Sequence, residues 1–69
     1  MIAQPPPSLS IHARLLHRLA SLTPERRVEA LECWNERAAI REHDGGATRA
    51  AAEEDAAAET CAQFGVEWR

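Results

Sequence analysis

Two short segments of this sequence stop helices, and they limit the fold more than any other feature. Thr23 is followed by Pro24, and proline disfavours a helical conformation in the residue before it. Thr23 can also cap a helix and Pro24 is tolerated in a first turn, so a new helix is predicted to begin there. Asp44 is followed by Gly45 and Gly46, and a glycine after the last turn can adopt the left-handed capping conformation. The chain is therefore divided into three segments, each long enough for a helix.

The residue pattern predicts a helix in each segment. In the first segment, apolar residues recur every three or four positions, which is helical spacing. They are Ile11, Leu15, Leu19 and Leu22, with Leu16 beside them. The third segment contains two runs of three alanines, the residue with the highest helix propensity, and Thr48 can cap it. We predict helices over about residues 8–21, 24–43 and 49–64.

The predicted fold class is all-α, a three-helix bundle. The connection between the second and third helices is short, so these two are predicted to form an antiparallel hairpin. Residues 1–7 end in three prolines and are predicted to form a flexible proline-rich arm, with residues 8–69 as a single helical domain.

The chain of 69 residues has few large side chains from which to build a core. Fourteen residues are alanine, which leaves seventeen larger apolar side chains, and two of these are Cys33 and Cys61. Because small domains bury a limited share of their surface, we expect a second copy or a partner protein to cover the remaining apolar area.

Several functional classes are not expected from this sequence. No apolar run approaches the ~20 residues of a membrane span, and the first residues do not resemble a secretory signal, which favours a cytoplasmic location. His12, His17, His43 and the two cysteines lack metal-binding spacing, so neither a metal nor another cofactor is predicted. No catalytic constellation is visible, and an enzyme is not expected.

The charge balance disfavours nucleic acid as a partner. Eleven acidic and eight basic residues give a net charge of −3. A helix that reads DNA needs cationic and amide side chains near its start. The third predicted helix begins with Arg49 but continues with Glu53, Glu54 and Asp55, which phosphates repel. A small DNA-binding transcriptional regulator is therefore an alternative and not the first choice.

The second predicted helix has apolar residues on two sides. One face carries Val28, Leu31, Trp34 and Ala38. Cys33 and Ile40 lie nearly opposite, at about 100° per residue. A helix packed between two neighbours would show this pattern, and so would a helix that exposes one side to a partner. Both interpretations stay open, and Trp34 and Ile40 are candidate partner contacts.

The charges of the same helix are sorted into two edges. The acidic edge consists of Glu25, Glu29, Glu32 and Glu36. The basic edge consists of Arg26, Arg37 and Arg41, with Arg27 nearby. Like charges three or four positions apart are slightly destabilising, so each edge is either solvated or placed to meet an opposite charge. The acidic edge, Arg37 and Arg41 are candidate partner contacts.

Glu54 falls within the apolar stripe predicted for the third helix, beside Ala51 and Ala58. A carboxylate buried in an apolar stripe needs a charged or hydrogen-bonding partner. In an antiparallel hairpin, the nearest sources of positive charge are Arg37 and Arg41. We predict a structural ion pair between Glu54 and one of these arginines.

The segment around the second helix stop resembles a short module of other proteins. It reads Glu36-Arg37-Ala38-Ala39-Ile40, then Asp44-Gly45-Gly46, then Arg49. This pattern resembles a helical module in uncharacterised proteins of bacterial phages, plasmids and integrative elements. The resemblance implies an origin in a mobile element, and it assigns no catalytic residue.

Together these features favour a non-enzymatic protein that binds another protein. With the implied origin, the expected role is a regulator or inhibitor of a host or element-encoded protein complex, of which anti-CRISPR inhibition is one form. A self-associating assembly module, such as a homodimer, is the remaining alternative.

Overall fold

The computed structural model describes residues 7–68, and over this range the fold is a bundle of three helices without a strand. Helix α1 spans Pro7–Arg18, α2 spans Pro24–Asp44 and α3 spans Arg49–Gln63. The all-α prediction and the three predicted segments are confirmed. The first helix ends earlier than predicted, because its last turn, Leu19–Ser21, is a 3₁₀ helix. The predicted arm lies outside the described residues, apart from Pro7.

Local capping sets the ends of the hairpin helices. Thr23 Oγ1 accepts a hydrogen bond from the amide of Arg26 at 3.3 Å, and Thr48 Oγ1 accepts one from Ala51 at 3.2 Å. Gly46 has a φ of 66°, a conformation that favours glycine. The two helix stops of the sequence therefore act as predicted.

The core lies between α1 and the α2–α3 hairpin. Helix α1 packs mainly against α3, and α2 packs along the length of α3. The buried apolar residues are Ile11, Leu15, Leu19, Ala30, Trp34, Ala52, Ala56, Ala57 and Cys61. The leucine stripe predicted for α1 thus faces the core, and its flanking residue Leu16 is 40% exposed.

Helix α3 is rotated relative to its predicted orientation. Three residues that the sequence pattern places in the apolar stripe are exposed: Ala51, Glu54 and Ala58. Two residues outside that predicted stripe, Ala52 and Glu53, are buried instead. The reason is that alanines occur around most of this helix, so their positions define no unique apolar face. The orientation is set by what α3 meets in α1 and α2.

The segment after α3 folds back over α1. Gly65 has a φ of 72°, and the amide of Val66 donates to the carbonyl oxygen of Cys61 at 2.8 Å, which caps the helix. Beyond this turn, the guanidinium carbon of Arg14 lies 4.5 Å from the centre of the Trp68 ring. This cation–π contact joins the C-terminal tail to the first helix.

Candidate functional site

Helix α2 has two long sides with different surroundings. The inner side faces α3 and carries Trp34, Arg37 and Arg41. The outer side carries the acidic stripe, which we define as Glu25, Glu29, Glu32 and Glu36; all four are exposed. At 100° and 1.5 Å per residue, these carboxylates occupy an arc of about 60° and a length of about 17 Å.

Trp34 connects the two helices of the hairpin. Its indole Nε1 donates a hydrogen bond of 2.9 Å to the backbone carbonyl oxygen of Glu53. The ring is 5% exposed and is stacked on the His12 ring, with 5.5 Å between centroids. Trp34, which was predicted as a candidate partner contact, is therefore buried in the free protein, and a partner would reach the ring only by opening the bundle.

The basic residues of the inner side pair with α3. The guanidinium groups of Arg37 and Arg41 both contact the carboxylate of Glu59, and Arg37 also donates to the side-chain oxygen of Gln63. The predicted ion pair with Glu54 is wrong, because the rotation of α3 directs Glu59 toward these arginines and leaves Glu54 exposed. Both arginines are thus engaged within the fold, where two guanidinium groups share one carboxylate.

The acidic stripe has little opposing charge. Glu29 forms an ion pair of 3.2 Å with Arg26, and both side chains are at least half exposed. Glu25, Glu32 and Glu36 have no ion-pair partner among the described side chains. The stripe is therefore a region of net negative potential on the surface of α2.

Two large apolar side chains border the stripe. Val28 is 56% exposed and Ile40 is 52% exposed, and helical geometry places them on opposite sides of the row of carboxylates. Val28 was predicted to share the face of Trp34, but it lies at the margin of that face and is left outside the core. We call the acidic stripe together with Val28 and Ile40 the α2 outer face.

One buried carboxylate was missed by the sequence pattern. Glu53 is 5% exposed, and its Oε2 lies 3.7 Å from Nε of Arg49, while its Oε1 has no hydrogen-bond partner among the described residues. Arg49 also contacts Glu42 at 3.3 Å and is itself 69% exposed. Glu53 and Glu54 are neighbours of the same residue type, so the pattern alone could not distinguish the buried one.

The two cysteines are free thiols that differ in burial. Cys61 is fully buried, and burial raises the pKa of its thiol, although the positive charge of Arg18 acts in the opposite direction. A buried, protonated thiol is a poor nucleophile. Cys33 is half-buried, and its sulfur lies 3.8 Å from the side-chain oxygen of Gln63.

Among residues 7–68, no His, Cys, Asp and Glu side chains form a group of three or more that could hold a metal ion. The same residues contain no helix with the length and apolar character needed to cross a bilayer. Comparisons with protein-family models, with curated proteins and with solved structures give no match to this chain.

Proposed function

We propose that this protein binds another protein through the α2 outer face, and that the partner presents a basic surface with apolar residues. The observation that carries the proposal is the combination of exposed Val28 and Ile40 with a row of carboxylates of which only Glu29 has an ion-pair partner among the described residues. Exposed apolar side chains favour association, and complementary charge speeds the encounter and selects the partner.

Charge argues against a second copy on this face. A two-fold axis brings the same surface of two chains together, so the acidic stripe would face itself. Phosphates meet the same repulsion, which disfavours nucleic acid here. A basic protein partner is therefore the occupant that fits the α2 outer face.

The biological role that we propose is regulation or inhibition of a protein complex. This step rests on the resemblance of residues 36–49 to modules of mobile elements. An anti-CRISPR inhibitor would fit this description, as would any small inhibitor that covers a basic surface.

Protein capture tests the proposal. The immobilised chain is expected to retain one specific protein from a lysate of its source cell at micromolar concentration. The double variant Val28→Asp/Ile40→Asp should weaken binding at least about tenfold, since exposed apolar anchors carry much of the energy of an interface. Charge reversal by Glu32→Lys should slow association and reduce its salt dependence.

The matched control is Leu16→Asp, which also places a carboxylate at an exposed apolar position but on α1. It should bind like the wild type. If no specific protein is retained, or if all variants bind equally, the α2 outer face is not the docking surface. A stable dimer in light scattering would favour the alternative of a self-associating assembly module. A salt-sensitive mobility shift with DNA would favour the alternative of a DNA-binding transcriptional regulator.

A further inference from the structure

The two apolar side chains of the α2 outer face lie on opposite flanks of one helix. Helical geometry places Val28 and Ile40 about 120° apart around the axis and about 18 Å apart along it. Glu32 and Glu36 lie on the line between them, since each step of four residues adds about 40°. This row therefore reads apolar, acidic, acidic, apolar, and all four side chains are exposed. We call it the outer row.

A flat partner surface does not reach the whole outer row at once. A helix with its side chains is about 10–12 Å across, so a position 60° from the top lies about 2.5–3 Å below it. Glutamate is also longer than valine or isoleucine, so the carboxylates between the two flanks hold a flat surface away from both. Contact with Val28 and Ile40 together therefore requires a surface that rises on each side of α2.

The flank of Ile40 has a recess that such a rising surface can enter. A cavity of about 270 Å³ lies along this flank, lined by Cys33, Glu36, Arg37 and Ile40. Ile40 is 52% exposed and Cys33 is half-buried, so part of the lining is apolar surface open to solvent. The recess has room for a large side chain of a partner.

The top of α2 sets the charge of the surface that covers it. Glu32 and Glu36 have no ion-pair partner among the described side chains. Enclosing them in an uncharged groove would remove water from both carboxylates without supplying a counter-charge, which is strongly unfavourable. Basic side chains must therefore lie at the floor of any groove that encloses the outer row, with apolar side chains on its walls.

We propose that the partner of the α2 outer face is a protein groove one helix wide, with a basic floor and apolar walls, into which α2 inserts with the outer row facing the floor. This inference rests on the proposed function and specifies the shape of the partner. Insertion of a helix into a groove is a recurrent mode of protein recognition, and here this chain supplies the helix. A flat protein surface is the competing occupant.

Two truncations test whether both flanks are in contact. Val28→Ala and Ile40→Ala shorten exposed side chains without changing the charge, and binding is measured by biolayer interferometry with the purified protein that the immobilised chain retains. A groove contacts both flanks, so each variant should weaken binding at least about fivefold. Leu16→Ala, an equivalent truncation on α1, is the matched control and should bind like the wild type. Circular dichroism checks that all three variants are folded.

Methyl-labelled valine and isoleucine give a second measurement that does not depend on affinity. A soluble nitroxide broadens the nuclear magnetic resonance signals of methyl groups that face solvent. The signals of Val28 and Ile40 should be broadened in the free protein and protected in the complex. Ile11, which is 5% exposed, is the internal control and should be protected in both states.

One pair of variants tests the floor of the groove. Glu32→Gln removes a charge from the outer row and should weaken binding about tenfold, because a basic floor side chain loses its counter-charge. Glu25→Gln removes the same charge from the acidic stripe beyond the end of the row and should weaken binding less than about twofold. Equal effects of the two variants would overturn the basic floor.

The groove is overturned if one of the two truncations binds like the wild type, or if one of the two methyl signals stays broadened in the complex. A flat surface that contacts one flank gives that result, and the proposed function would then still stand. If no specific protein is retained, or if both truncations bind like the wild type, the proposed function fails together with the groove.

Discussion

The two sides of α2 carry opposite charges, and these charges have different surroundings in the fold. On the inner side, Arg37 and Arg41 meet Glu59 of α3, so their charge is used in holding the hairpin together. On the outer side, the carboxylates of the acidic stripe lie close to one another, and Glu29 alone forms an ion pair among the described residues. Position relative to α3 therefore separates the charges that hold the hairpin together from those that are exposed at the surface.

The two sides of α2 also differ in their electrostatic contribution to stability. Like charges at helical spacing destabilise a helix by about 0.2–0.5 kcal/mol per pair, and the acidic stripe keeps such pairs in the free protein. A basic partner would remove this repulsion on binding. On the inner side, Arg37 and Arg41 instead lie beside the carboxylate of Glu59, which both of them contact. Three stability measurements test this contrast.

The largest effect is expected at Trp34, at the centre of the inner side. Trp34→Ala should reduce the free energy of unfolding by about 3–5 kcal/mol, because it removes a buried ring that touches both α1 and α3. Trp34→Phe keeps an aromatic ring and loses the hydrogen bond to Glu53, which should cost about 1 kcal/mol. Urea denaturation followed by circular dichroism measures both. If Trp34→Ala unfolds like the wild type, Trp34 is not part of the core.

A smaller loss is expected at Glu59. Glu59→Gln leaves Arg37 and Arg41 without a carboxylate, and since these side chains are between a third and a half exposed, the cost should be about 0.5–1 kcal/mol. Glu54→Gln is the matched control on the exposed side of α3 and should change the free energy of unfolding far less. Equal effects of the two substitutions would mean that Glu59 does not hold the hairpin.

The smallest effect, with the opposite sign, is expected at Glu32. Glu32→Gln relieves repulsion from Glu29 and Glu36 and should increase the free energy of unfolding by about 0.2–0.5 kcal/mol at low ionic strength. The increase should disappear at high salt, because exposed charges are screened. A loss of stability in urea denaturation would show that Glu32 has a positive partner, and the contrast between the two sides would fail.

The helices could be predicted from the sequence because their ends depend on neighbouring residues. Thr23 and Thr48 cap the amides three positions later, and Gly46 adopts the conformation that a glycine allows. Such signals lie within one turn of the residue they act on. The acidic stripe was predictable for the same reason, since helical spacing alone places its members on one face.

The burial of Glu53 could not be predicted, because it depends on the rotation of α3 about its own axis. One residue along a helix is a change of about 100°, so the difference between Glu53 and Glu54 is the difference between a buried and an exposed carboxylate. Because alanines occur around most of α3, no single apolar face fixes the rotation of this helix. Contacts between distant residues decide it, among them the bond between Trp34 and Glu53.

That same bond suggests an order of assembly during biosynthesis. It joins residues 19 positions apart, whereas α1 packs mainly on α3, from which it is separated by the whole of α2. Closing a short loop costs less entropy than closing a long one, so the hairpin should form before α1 docks. Helix α1 leaves the ribosome first but must wait for α3. Leu15 and Leu19, which are buried in the folded protein, are therefore exposed to solvent on the nascent chain until α3 has been made.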